Sequence, residues 1–171
     1  MEEPDRKLLS HYYFVGRETM KTLKTILLAA VCSSFLSITS FAGEFGTKEE
    51  AAALLDRAVA LLRVDKNRAL DLFTTGDGGL IQNDLYVFCG GPDGTLTAHP
   101  NGVGLSLLDY KDSEGTPVGE LAYANAKAGK VFEITYKFLK PTTDSEKEYT
   151  KTAMFTKVAG QVCGVGYYHP E

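Results

Sequence analysis

The chain has 171 residues, of which 44% are hydrophobic and 23% charged, and its formal net charge is -4. That length carries one packed domain and falls short of two ordinary ones. The composition excludes a collagen-like or charge-dominated disordered chain, and the mild acidity speaks against a nucleic-acid footprint, which needs clustered Lys and Arg.

Residues 20–42 read MKTLKTILLAAVCSSFLSITSFA. Lys21 and Lys24 form a basic start, an apolar stretch begins at Ile26, and Ser40 and Ala42 are the small residues that frame a cleavage site before Gly43. This is the layout of a secretory signal, and its apolar run, diluted by Ser and Thr, is short for a membrane span. Val31 before Cys32 argues against lipoprotein processing. Residues 1–19 precede a second methionine and read as a start-site extension, a cytoplasmic tail on an anchored protein, or an extra amphipathic helix of the domain. Cleavage after Ala42 leaves residues 43–171 as the working domain, in the periplasm or secreted. Its cysteines, Cys89 and Cys163, then meet an oxidising compartment, where they are either bonded to each other or free in a core.

Thr47 and Glu50 have the spacing of a capping box, and Leu54, Leu55, Ala58, Val59, Leu61 and Leu62 follow at helical intervals. Asp65 can cap a further helical stretch with Ala69, Leu70 and Phe73 on one face, so the domain opens with a long helix broken near Asp65. The period then changes. Residues 84–89 read as a strand, Pro92 and Gly94 as a tight turn, and residues 95–98 as the return strand. Residues 99–115 are loop, and residues 120–128 a short helix. Residues 131–138 place Phe132, Ile134, Tyr136 and Phe138 on one face of a strand. After a polar connection over 139–147, residues 149–158 pair with 161–168 through Ala159-Gly160. The pattern predicts an α+β fold with helices against a mostly antiparallel, five-stranded sheet.

The ordered series Asp84-Leu-Tyr-Val-Phe88, Asp93-Gly94-Thr95, Ala98-His99-Pro100, Gly104, Asp112-Ser-Glu-Gly115, Tyr136, Pro141, Lys151 and Gly164-Val-Gly-Tyr167 resembles a single Cache domain over residues 48–168. The resemblance implies a PAS-like extracytoplasmic sensor fold. In it a long N-terminal helix packs on a five-stranded antiparallel sheet, with the second strand at one edge, then the first, fifth, fourth and third. It implies binding of a short-chain carboxylate such as acetate, propionate, lactate or pyruvate. In the implied strand order Cys89 and Cys163 lie on neighbouring strands, which favours a disulfide. The expected partners are a small organic acid and a membrane receptor or transporter served by a stand-alone binding protein, with a homodimer as a further option.

Capture of a small carboxylate needs a cationic or hydrogen-bonding head and an apolar wall. Lys151 is the cation that the strand pattern offers, with a solvent-facing lysine as the alternative. Tyr136 offers a hydroxyl donor, unless backbone holds it as a core tyrosine, and Tyr86 and Phe88 form a wall or plain core. His99, at a strand end before Pro100, can bond a carboxylate, more strongly when protonated, or hold a turn. Tyr110 and Asp112 lie on the covering loop, where Asp112 repels an anion and better caps the turn at Gly115. Catalysis finds no support. Ser106 and Ser113 show no partner arrangement, Cys89 and Cys163 lack redox spacing, and the acidic residues lack a calcium-loop pattern, so no enzyme, metal or cofactor is expected. A second reading is a structural or interaction module with a degenerate pocket, prompted by Phe155 where the family usually has tyrosine.

Overall fold

A computed structural model describes residues 45–144 and 146–170; the export-signal and lead-segment readings over residues 1–42 lie outside them. Helix α1 (Lys48–Val64) begins on its capping box: Thr47 Oγ1 accepts from the Glu50 amide at 3.1 Å, and Glu50 accepts from the Thr47 amide at 2.8 Å. Asp65 both ends α1 and caps α2 (Lys66–Thr75), its carboxylate accepting from the Arg68 amide at 3.1 Å. Gly76, at φ 79°, closes α2 in the left-handed conformation that glycine adopts without a Cβ penalty. No helix among the described residues is long and apolar enough to cross a membrane.

The sheet has six strands: β1 (Ile81–Gln82), β2 (Leu85–Gly90), β3 (Leu96–Ala98), β4 (Phe132–Leu139), β5 (Glu148–Val158) and β6 (Gln161–Tyr168). All pairings are antiparallel, along the path β1-β2-β6-β5-β4, with β3 also on β2. The expected five strands keep their predicted order, and the short β1 is added at the edge. It turns back through Asn83 at φ 54°, a residue whose short amide side chain tolerates that conformation in a tight hairpin. Helix α3 runs over Val118–Asn125 rather than 120–128. Pro117 sets its start, and it stops at Ala126, whose backbone is extended and leads into the Lys127–Lys130 bridge.

The sheet is apolar on both faces. Along β2, Leu85, Val87 and Cys89 face the core shared with α1 and α2, while Tyr86 and Phe88 face the opposite core, as the two-residue strand period requires. Met154 and Val165 join the helix side, and Ala153, Phe155 and Tyr136 join the other, roofed by Leu107, Val118 and Ala122. The functional interest lies on this second face.

Cys89 and Cys163 stand directly opposite in the β2–β6 register, with Cα atoms 4.0 Å apart, and are joined by a disulfide that links residues 74 apart in sequence. Such a crosslink restricts the unfolded chain. The double change Cys89→Ala, Cys163→Ala is expected to lower unfolding stability by about 2–4 kcal/mol. Urea melts of the two proteins measure this, and a reductant should shift only the parent protein.

Candidate functional site

A cavity of about 390 Å³ opens on the face away from α1. β2 lends it Tyr86 and Phe88, β4 lends Tyr136 and Phe138, and β5 lends Lys151. The segment from β3 to α3 covers it with His99, Leu105, Leu107 and Tyr110. This volume lies within the range of small-molecule sites, about 300–1,000 Å³.

The cover is tied down at several points. The Leu107 amide donates to Gly94 O at 2.8 Å, Asn101 Nδ2 to Pro141 O at 2.9 Å, and the Gly119 amide to Tyr110 O at 3.2 Å. Asp112 is its main clasp. One carboxylate oxygen accepts from the Thr116 amide at 2.7 Å and the Glu114 amide at 3.1 Å, and the other from the Lys137 amide of β4 at 2.9 Å. Burial acts to raise the Asp112 carboxyl, but the amides of Lys137, Thr116 and Glu114 together outweigh it and hold it below the usual range. The turn-capping role is thus joined by a second one, fastening the cover to the sheet. Asp112→Ala is expected to cost about 2 kcal/mol by leaving three amides without this acceptor, with Asp112→Asn intermediate; chemical melts distinguish them.

Lys151 is 1% exposed, which sets aside the solvent-facing alternative. In the strand register it lies beside Tyr136 on β4 and Tyr168 on β6. Its arm crosses the backbone of Gly166, where a Cβ would sit 2.2 Å from Lys151 Cε, so glycine there leaves the channel for the lysine. Nζ donates to Tyr86 Oη at 2.7 Å and lies 4.2 Å from the Tyr86 ring centroid, with Phe138 and Tyr168 each at 4.9 Å. Among the described residues it makes no ion pair. Burial lowers Lys151 to about 7, and the field of Asp84 only partly offsets this.

A second buried lysine escaped sequence reasoning. Lys140, 4% exposed, reaches Asp84 Oδ2 at 3.5 Å and lies 3.4 Å from the Phe45 ring centroid and 4.7 Å from that of Tyr149. Asp84 also accepts from the Gly46 amide at 2.7 Å, so this buried carboxylate is engaged at the edge of the site by Lys140 and the chain preceding α1. Tyr168, whose hydroxyl donates to Leu139 O, completes the ring wall around both lysines. The signal for all three lies in strand alternation: Asp84 is in phase with Tyr86, Lys140 with Phe138, and Tyr168 with Gly164 and Gly166.

The other predicted residues meet at the same cavity. Tyr136 is buried, and among the described residues its hydroxyl has no hydrogen-bond partner and stands at the cavity wall. Burial raises it well above the ordinary tyrosine range. His99 accepts at Nδ1 from the Asn101 amide at 3.1 Å, which assigns the ring proton to Nε2. Burial, and then the charge of Lys151, lower His99 to about 4, so at pH 7 it is a neutral donor, without the strengthening that protonation would give. Tyr110 donates to Lys137 O at 3.3 Å and packs edge-on to Phe138, its ring centroid 5.5 Å away. Phe88 packs edge-on to Phe155, with centroids 5.4 Å apart. Gly164 makes that contact feasible, since a Cβ there would lie 2.8 Å from Phe88 Cζ. Of the residues that line the cavity, Lys140 and Lys151 are charged and none is acidic.

No family model matches the chain. No curated protein matches its sequence. Solved structures do match, each over 71% of this chain. A methyl-accepting chemotaxis protein from Vibrio parahaemolyticus aligns over 87% of its own chain at 22% identity, with TM-score 0.55. A Cache chemosensory domain, described for its carboxylic acid recognition, aligns over 88% of its chain at 18% identity, with TM-score 0.51. The periplasmic sensor domain of a chemotaxis protein aligns over 90% of its chain at 20% identity, with TM-score 0.50. The chain therefore has the α+β, Cache-like fold of chemosensory domains, with helices packed on an open antiparallel sheet.

Proposed function

We propose that this protein is an extracytoplasmic receptor domain that captures a small organic acid by its carboxylate. The observation that carries the reading is Lys151: a buried amine donor at the cavity wall, bonded to the Tyr86 hydroxyl and, among the described residues, lacking a carboxylate partner of its own. An anionic ligand supplies the missing counter-charge. Tyr136 and neutral His99 add donors, and the cavity has no acidic side chain to repel the ligand. The same absence disfavours amines and amino acids, whose ammonium groups would meet two lysines and no anion. The known carboxylic acid recognition by a Cache domain of the same fold supports this reading. A cavity of about 390 Å³ weighs against a pocket filled in by its own side chains.

The disulfide suits an oxidising compartment, and the signal-like residues 20–42 suit export, with cleavage after Ala42. A membrane receptor or transporter would read the loaded form, and a homodimer is one way to present it. A melting scan against acetate, propionate, lactate and pyruvate, with ethylamine as cationic control, tests the reading. A binder raises the midpoint in proportion to the logarithm of its excess over Kd. Stabilisation by acids and not by the amine is expected; stabilisation by the amine alone rejects it.

A further inference from the structure

Resting on that carboxylate reading, we infer that the preferred ligand carries a ring or a body of similar bulk behind its carboxylate, such as an arylacetic or benzoic acid. The cavity of about 390 Å³ has room for roughly thirteen waters at about 30 Å³ each. Acetate displaces only about three or four of these, leaving the rest against an apolar wall. A ring-bearing acid displaces about five to seven.

The chemistry of the wall is divided in the same way. Most donor groups come from the sheet, Lys151 with Tyr86 and Tyr136, and His99 adds one from the start of the cover. The cover brings the apolar side chains of Leu96, Leu105, Leu107 and Val118 beside the polar tips of Asn101, Ser106 and Tyr110. Phe138 stands between the two regions, edge-on to Tyr110 with interplanar angle 84° and to Tyr136 at 69°. Such edge-to-face rings leave faces and edges on which another ring packs. Waters held there have few partners, and an apolar group that displaces them gains affinity. A short acid satisfies Lys151 and gains nothing from the cover. A ring-bearing acid satisfies both.

Calorimetric titration with phenylacetate, benzoate, acetate and propionate, and with benzyl alcohol and benzylamine as head-group controls, tests this. Phenylacetate or benzoate is expected to bind at least tenfold more tightly than acetate and propionate, with neither control binding comparably. Equal or tighter binding of the short acids overturns the inference and leaves the carboxylate reading standing. Failure of all four acids overturns both. Filling the apolar end with Val118→Phe should reduce the preference for phenylacetate at least tenfold while acetate binding persists, which also reports that the variant is folded. Leu105→Trp, at a position 64% exposed on the cover, makes the same test without disturbing a buried site. Unchanged phenylacetate binding in both variants contradicts the placement of the ring.

Discussion

Lys151→Met is expected to abolish carboxylate binding and, at the same time, to raise the thermal midpoint. The two effects have one cause. At pH 7 and below the free protein buries the charge of Lys151 at a cost: among the described residues Nζ has a single hydroxyl partner, Tyr86, at 2.7 Å, and no ion pair. Removing an ion from such a place and keeping its volume is neutral or stabilising by about 1–4 kcal/mol, because the desolvation cost disappears. Met retains the unbranched arm that passes Gly166. Binding loses its charge partner, and truncating one member of a buried charge pair costs about 2–5 kcal/mol, or roughly 30-fold or more in Kd. Lys157→Met is the control, since Lys157 lies on the same strand but is exposed. It should change stability by no more than about 0.5 kcal/mol and leave binding intact. A Lys151→Met protein that is destabilised and still binds acids removes this lysine from the site.

The second large effect is on pH. Lys151 is lowered from 10.5 to about 7 by burial, so between those values the unfolded chain holds a proton that the folded protein has released. Unfolding stability then rises with pH across that window, by up to about 5 kcal/mol at about 1.4 kcal/mol per unit. His99, lowered from 6.5 to about 4 by burial and by Lys151, acts in the same direction over its own window, so stability also rises from pH 4 to 6.5. Tyr86 and Tyr136 are raised by burial, so above pH 10 the unfolded chain loses protons that the folded protein keeps, and stability falls. Urea midpoints should therefore climb from mildly acidic pH to a maximum near pH 9–10. Lys151→Met should flatten the climb above pH 7 and keep the larger, burial-driven share of the part below 6.5. A parent protein whose midpoint is constant from pH 7 to 9.5 contradicts the burial argument for Lys151.

Much of this could be read from the residues alone. The capping box at Thr47, the break at Asp65, the Ala159-Gly160 hairpin and the alternation from Phe132 to Phe138 are local signals, and each specifies its own element. That alternation also put Tyr136 on an aromatic face, while Lys151 stood out only by its place inside a strand and by the resemblance. Other features depend on what lies across the sheet. Lys151 is buried because Gly166 leaves its arm a path and Tyr86 receives its amine, and neither fact is local to β5. Lys140 continues the phase of Tyr136 and Phe138, but Pro141 beside it reads as the start of a loop. The proton on His99 is placed by the Asn101 amide and its basicity is lowered by burial beside Lys151, and neither is visible in the sequence around it. Strand β1 is only two residues long and sits among Gln82, Asn83 and Asp84, too polar and short for a periodic signal.

Proton uptake on binding tests the central claim most directly. A carboxylate seated on Lys151 must restore the proton that burial removes, while His99, lowered to about 4, stays neutral. Calorimetric titration at pH 8 in buffers of different ionisation enthalpy counts that proton. The account predicts an uptake close to one proton per bound acid, lost in Lys151→Met. Tight carboxylate binding with no proton taken up at pH 8 contradicts it.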